Sequence, residues 1–120
     1  MTSPANHWRE ALAQGRFLLQ RAGDGSAVFP PRLTAPGSGT DDLEWIEASG
    51  LGTVYTLSWV QRRPPAEPYN VVLIDLDEGA RLMSRVEGMT PETLRIGQRV
   101  SAFIDSSGEE PLLLFRALED

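Results

Sequence analysis

Few side chains in this sequence could carry out catalysis. His7 is the only histidine and cysteine is absent, so a thiol nucleophile is excluded and a Ser/His/Asp set would depend on that one histidine. Asp75 and Asp77 lie two residues apart on a predicted strand and so share a face. Paired carboxylates can serve acid–base chemistry, but Asp77 belongs to the turn-forming stretch Asp-Glu-Gly, which favours a solvated carboxylate. We therefore predict that the chain is not an enzyme on its own.

The arginines are the side chains best suited to holding a small anion. Every one of the eleven basic residues is arginine, and Arg62 and Arg63 precede a proline-rich loop. Together with Arg32 and Arg81 they could hold a phosphate, and the alternative for each is a solvated surface position. The glycine-rich stretches GDGS and GSG precede extended segments, so neither is a phosphate loop that opens a helix. A net charge of −6 argues against a polyanion such as nucleic acid as partner.

The N-terminal part of the chain predicts one helix and several short strands. SPANHWREALAQG is typical of a short helix, capped by Asn6 and ended by Gly15 in a left-handed turn. FLLQR could be a strand or an extension of that helix. AVF is a candidate strand between two turns, RAGDGS and TAPGSGT, and LEWIEA alternates as a half-buried strand does.

From residue 51 to 118 the pattern predicts five strands. They are SGLGTVYTLSWVQRR, NVVLIDLD, ARLMSRVEG, RVSAFID and PLLLFRAL, with a helical turn capped by Thr90 between the third and the fourth. NVVLIDLD is almost entirely apolar, which predicts burial on both faces. This order of elements is that of an OB-fold, a five-stranded Greek-key barrel, although the pattern alone also fits other small barrels.

The length and the apolar content limit the classes to which this protein can belong. With 120 residues, 41% of them hydrophobic, the chain can bury a core and form one domain with an appendage. No apolar run has the length of a membrane span, and no basic-then-apolar segment opens the chain. A cytoplasmic protein without a membrane partner is therefore expected.

Several short motifs resemble a known family. The chain contains Pro30-Pro31-Arg32, Ala35-Pro36, Glu44-Trp45, Ser49-Gly50-Leu51-Gly52-Thr53-Val54-Tyr55, Asp77-Glu78-Gly79-Ala80-Arg81 and Arg95-Ile96-Gly97. These resemble the landmarks of proteins that pair a rubredoxin-like zinc ribbon with a C-terminal OB-fold, long catalogued as a domain of unknown function. The resemblance implies a mainly β chain: an N-terminal helix (1–16), a zinc-ribbon-like arm (17–48) and an OB-fold domain (49–120).

The chain departs from this family at the zinc ligands. The four cysteine positions of the family correspond here to Ala22, Gly25, Ala35 and Ser38. None of these side chains is a zinc ligand, so we expect a metal-free arm and no cofactor. Structural zinc contributes on the order of 10 kcal/mol in zinc-finger peptides. We therefore hypothesise that the arm is stabilised by docking on another protein.

The resemblance also implies a function. Members of the family resemble non-catalytic companions of acyl-CoA enzymes: thiolase-like enzymes, aldolases of steroid side chains and enoyl-CoA hydratases. It implies a bacterial accessory subunit of lipid or steroid metabolism that docks on such a partner and helps shape its acyl-CoA site. The candidate CoA-binding residues are Arg32, Arg62, Arg63, Tyr69 and Arg81, and the candidate docking residues are Trp8, Phe29 and Trp45. Internal packing is the alternative for the aromatic residues.

Two other functions remain open at this point. A nucleic-acid-binding OB-fold would use strand aromatics such as Tyr55, Trp59 and Phe103. A purely structural interaction protein would never contact CoA. A two-fold homodimer is also compatible with the sequence.

Overall fold

The computed structural model describes residues 3–33, 43–61, 63–64 and 68–118. Within these residues the elements are one helix and nine strands. In chain order they are α1 (Pro4–Ala13), β1 (Leu18–Arg21), β2 (Ala27–Val28), β3 (Glu44–Glu47), β4 (Leu51–Val60), β5 (Tyr69–Leu76), β6 (Arg81–Ser84), β7 (Val86–Glu87), β8 (Arg99–Asp105) and β9 (Leu112–Ala117). The predicted mainly β chain with an N-terminal helix is confirmed.

Helix α1 begins earlier than the predicted cap. The Ser3 side chain accepts a hydrogen bond from the main-chain N–H of Asn6 at 3.2 Å, so Ser3 is the N-cap and the prediction of Asn6 was wrong. Pro4 follows Ser3 at the first helical position, where its fixed φ and missing N–H cost nothing. The helix ends as predicted at Gly15, whose φ of 81° is in the left-handed region. No helix among the described residues is long and apolar enough to cross a lipid bilayer.

The arm forms a three-stranded antiparallel sheet in the order β2-β1-β3. FLLQR is therefore a strand and not an extension of α1. Arg16 and Arg21 pair with Glu47 and Glu44 on β3. Both pairs are exposed, so they align the strands more than they stabilise them.

The second sheet has six strands in the order β6-β5-β4-β8-β9-β7 and forms the predicted OB-fold. The third predicted strand is divided at Arg85, because β6 pairs with β5 whereas β7 turns away to run parallel to β9. The predicted helical piece is a single turn, in which Leu94 donates to the carbonyl of Thr90 at 3.0 Å. Main-chain ladders do not close this sheet within the described residues, since β6 and β7 are its two ends.

Two polar side chains connect strands that main-chain ladders leave apart. The carboxamide of Asn70 on β5 donates to the carbonyl of Val86 and accepts from its N–H, both at 2.8 Å. Asn70 is 3% exposed and Val86 is 1% exposed, so these groups have no access to water. Ser84 donates to the carbonyl of Leu113 at 2.8 Å and connects β6 with β9. Side chains therefore continue the sheet where its strands diverge.

One apolar core serves both sheets. Its buried members are Phe17, Leu19, Val54, Val72, Ile74, Leu76, Ala80, Leu82, Val86, Leu94, Val100 and Phe115. In β5 every second residue is buried and the residues between are half-buried, so the predicted burial on both faces is complete on one face only. The arm contributes Phe17 and Leu19 to this core, which anchors it on the barrel.

Candidate functional site

The predicted CoA-binding residues do not lie in one place. Tyr69 begins β5, whereas Arg81 pairs with Asp75, six residues further along that strand, which is about 20 Å at 3.3 Å per residue. Arg63 lies in the loop before β5, and Arg32 lies on the arm. Arg62 lies outside the described residues. The structure therefore separates Arg81 from the end of the barrel where Tyr69 and Arg63 lie.

That end of the barrel contains a small polar pocket of about 220 Å³, which we call the barrel-end pocket. Its lining includes Trp59, Tyr69, Arg85 and Glu87. Arg85 pairs with Glu87 at 2.8 Å and lies 5.9 Å from the ring centroid of Tyr69. The buried indole Nε1 of Trp59 has no hydrogen-bond partner among the described residues. Aromatic walls beside a charged pair are suited to holding part of a polar ligand.

Arg81 is engaged within the chain. Its guanidinium donates to both carboxylate oxygens of Asp75, at 2.6 and 3.4 Å, and lies 3.6 Å from the ring centroid of Tyr55. The hydrogen bond to Asp75 raises the pKa of Arg81. To bind a phosphate through two hydrogen bonds, the guanidinium of Arg81 would have to release Asp75.

Asp77 is held in a similar way. It accepts two hydrogen bonds from Arg99, at 2.7 and 2.8 Å, and Arg99 also donates to Thr53. The hydrogen bond from Arg99 lowers the pKa of Asp77, which already lies well below neutral for an aspartate. Asp75 and Asp77 are thus partners of separate arginines, an arrangement unsuited to a proton-transfer pair.

Within the described residues the first turn of the arm is held by side-chain and main-chain hydrogen bonds. Ala22 and Gly25, two of the former ligand positions, frame a tight turn in which Asp24 accepts from the N–H and hydroxyl of Ser26 at 2.9 and 2.6 Å. Ala35 and Ser38 lie outside the described residues. Within the described part of the chain no cluster of three His, Cys, Asp or Glu side chains is placed to hold a metal ion.

A buried glutamine connects strand β1 to the segment Pro30-Pro31-Arg32. Gln20 on β1 is 4% exposed; it donates to the carbonyl of Arg32 at 2.8 Å and accepts from its N–H at 2.7 Å. Gln20 therefore holds the main chain of Arg32 through two hydrogen bonds. This contact fixes the Pro30-Pro31-Arg32 segment against β1.

The three predicted docking residues have internal contacts. Trp8 donates to the carbonyl of Leu18 at 2.9 Å, and its ring meets that of Phe29 edge-on at a centroid distance of 5.5 Å. The ring of Trp45 lies 4.7 Å from that of His7. A groove of about 430 Å³ runs beside Trp8 and Phe29. The docking role of these residues stays a prediction, and their visible role is to pack α1 against the arm.

Sequence reasoning missed four residues that the structure makes prominent: Gln20, Tyr55, Asn70 and Arg85. Gln20 and Asn70 act on main-chain groups that are distant in sequence, and no local pattern reveals such contacts. Tyr55 was named within the family motif and as a base-stacking residue, but not as the partner of Arg81, whose guanidinium covers its ring. Arg116 likewise lies 4.1 Å from the ring centroid of Phe103.

A short helix, a three-stranded arm and a six-stranded OB sheet that share one core define an OB-fold protein with an N-terminal arm. The family model of the ChsH2 C-terminal OB-fold domain matches residues 45–105. The chain therefore belongs to this family, which confirms the resemblance seen in the sequence.

Relatives and a solved structure agree with this assignment. A probable enoyl-CoA hydratase alpha subunit of Thermomonospora curvata is 34% identical over 115 residues, which are 91% of this chain and 36% of that subunit. The chain thus spans about a third of the length of that relative. A DUF35 domain-containing scaffold protein of Methanothermobacter thermautotrophicus is 32% identical over 92% of this chain and 87% of its own length. A chain of the solved Ltp2-ChsH2(DUF35) aldolase superposes with a TM-score of 0.83 at 30% identity, covering 98% of this chain and 96% of that one.

Proposed function

We propose that this chain is a non-catalytic accessory subunit that docks on a thiolase-like enzyme, an aldolase or an enoyl-CoA hydratase. The observation that carries this proposal is the match along nearly the whole length to a chain of the Ltp2-ChsH2(DUF35) aldolase. The alpha-subunit name of the Thermomonospora curvata relative and the scaffold name of the archaeal one point the same way.

The contacts of the titratable groups support a non-catalytic role. His7 packs against the ring of Trp45, and Asp75 and Asp77 are held by arginines. A general acid needs a pKa near the working pH, whereas the hydrogen bond from Arg99 moves the pKa of Asp77 in the opposite direction. The chemistry is accordingly assigned to the partner.

We further propose that the barrel-end pocket helps shape the partner's acyl-CoA site. Of the predicted CoA-binding residues, Tyr69 lines this pocket and Arg63 lies exposed in the adjoining loop. An exposed arginine can contribute to a phosphate contact, and aromatic walls suit the uncharged part of a ligand. Arg81 is less suited, because Asp75 already occupies its guanidinium.

The test is reconstitution with the partner enzyme. The tagged chain is expressed in its host, and the co-purified enzyme is identified and assayed with and without the chain at limiting acyl-CoA. We expect Arg63→Ala combined with Tyr69→Ala to raise the apparent KM for acyl-CoA while the complex stays intact, and Arg9→Ala on α1 to leave it unchanged. An unaltered KM would favour a purely structural subunit, and the absence of any acyl-CoA enzyme would refute the accessory role.

A further inference from the structure

The motif SGLGTVY is mostly accounted for by internal contacts. The N–H of Ser49 donates to the carboxylate of Glu78 at 2.7 Å, and Gly50 adopts a φ of 79° that favours glycine. A Cβ atom on Gly52 would lie 2.7 Å from the side chain of Ile74, so only glycine fits there. Each of these residues serves the folding of the chain itself.

Tyr55, the last residue of the motif, is different. It is 47% exposed, and the β4–β5 register shifts between Val54 and Thr56, which makes Tyr55 the extra residue of a β-bulge. Bulges re-aim a side chain and are often found beside functional sites. The bulge therefore places a large, partly exposed aromatic ring on the outside of the sheet, where it does not contribute to the apolar core.

The ring of Tyr55 is also held in position. The guanidinium of Arg81 lies 3.6 Å from its centroid and is itself fixed by Asp75. A ring stacked on a fixed guanidinium loses little conformational freedom when a partner covers it, which favours binding. Tyrosine and arginine are also the residue types enriched where interfaces gain most of their affinity.

A second exposed segment lies next to Tyr55. The N–H of Gly97 donates to the carbonyl of Val54 at 2.8 Å, which brings Ile96 beside the bulge, and Ile96 is 66% exposed. The neighbouring Arg95 is exposed and has no carboxylate partner among the described residues. An exposed aliphatic side chain and an unpaired positive charge thus lie in the segment that is hydrogen-bonded to β4 at the bulge.

We propose that Tyr55, Arg81, Arg95 and Ile96 form the surface that docks on the partner enzyme; we call it the Tyr55 surface. The inference rests on the accessory-subunit function proposed above. The complementary surface is an apolar pocket that receives Tyr55 and Ile96, bordered by a carboxylate that pairs with Arg95. The chain carries a net charge of −6, so most of its surface repels an acidic partner border. Arg95 attracts such a border, and this difference fixes the orientation of docking. A second copy of the chain fits less well, because it would present the same arginines to each other.

The experiment measures the affinity of the purified partner enzyme for variants of the full chain. Tyr55→Ala is expected to weaken binding about thirtyfold, as for a central interface residue, while Tyr55→Phe keeps the ring and binds within about twofold. Leu112→Ala is the matched control: this side chain is 52% exposed on β9, beside the groove, and its loss should change binding less than twofold. Thermal melting confirms that each variant is folded.

A charge reversal tests the chemistry of the partner surface. Arg95→Glu should weaken binding about tenfold at low salt and less at high salt, whereas Arg9→Glu on α1 should not. If Tyr55→Ala binds as the wild type does, or if Leu112→Ala is the variant that loses affinity, the Tyr55 surface is not the docking surface. Self-association of the isolated chain that Tyr55→Ala abolishes would identify a second copy as the occupant and also overturn the proposal. If the wild-type chain binds no acyl-CoA enzyme at all, the proposed function itself is refuted.

Discussion

Replacing Asn70 by leucine removes the carboxamide that joins β5 to β7 while keeping the branched side-chain skeleton, with two methyl groups in place of the amide oxygen and nitrogen. The N–H and the carbonyl of Val86 then lose their partners in a part of the core where Val86 is 1% exposed. An unsatisfied buried polar group costs about 1–3 kcal/mol. Two such groups give an expected loss of about 4 kcal/mol, which is a large part of the roughly 5–15 kcal/mol that stabilises a domain.

Gln20→Leu provides the matched control. Gln20 makes the same two contacts, with the N–H and the carbonyl of Arg32, but Arg32 is exposed and water can replace the lost carboxamide. Only the net value of two hydrogen bonds is then lost, about 2 kcal/mol. The burial of the main-chain groups therefore predicts that Asn70→Leu is the more damaging change by about 2 kcal/mol.

Urea unfolding followed by circular dichroism measures both free energies. Hydrogen exchange of the Val86 amide in the wild type gives an independent readout, since this N–H should exchange only through global unfolding. If Asn70→Leu loses less than Gln20→Leu, or if the Val86 amide exchanges through local opening, the side-chain link between β5 and β7 does not stabilise the barrel.

Two further predictions concern charge and metal. Because the hydrogen bond from Arg99 lowers the pKa of Asp77 below its ordinary value of 3.8, this pair stabilises the fold above that pH and is lost as the pH falls through the lower folded-state pKa. Asp77→Asn should thus be less stable than the wild type at pH 6, and the difference should shrink as the pH falls below 3.8, as measured by urea unfolding. Equal stability at pH 6 would contradict the role of the pair. We also expect a chelator to leave the melting temperature unchanged, because Gln20 and Asp24 provide the contacts that hold the arm. A chelator-induced drop that zinc restores would show that a metal is bound.

The sequence predicted the series of elements because each carries a local pattern. The β4 and β5 segments are long apolar runs bounded by turn residues, and such runs identify strands without any knowledge of their partners. The correct helix cap was also present in the sequence, since Ser3 stands directly before a proline. Asn6 was chosen because it is a good capping residue, but position relative to Pro4 was the stronger signal.

The sequence did not predict contacts between residues that are far apart in the chain. Arg85 divides a predicted strand because β7 pairs with β9, and β9 is about thirty residues further along the chain. Asn70 and Gln20 look like ordinary polar residues of strands until their main-chain partners are known. The same limit applies to the CoA-binding residues: the sequence identified suitable side chains, but only the course of β5 separates Arg81 from Tyr69.

The position of β9 has a consequence for how the chain folds during synthesis. This strand lies between β8 and β7 and supplies Phe115, which is fully buried. Until residues 112–117 have left the ribosome, the apolar sides of β7 and β8 lack the cover that Phe115 gives them. The nascent chain therefore passes through an interval in which its core is exposed and association with other chains competes with folding. That interval ends only when β9 enters its place between them.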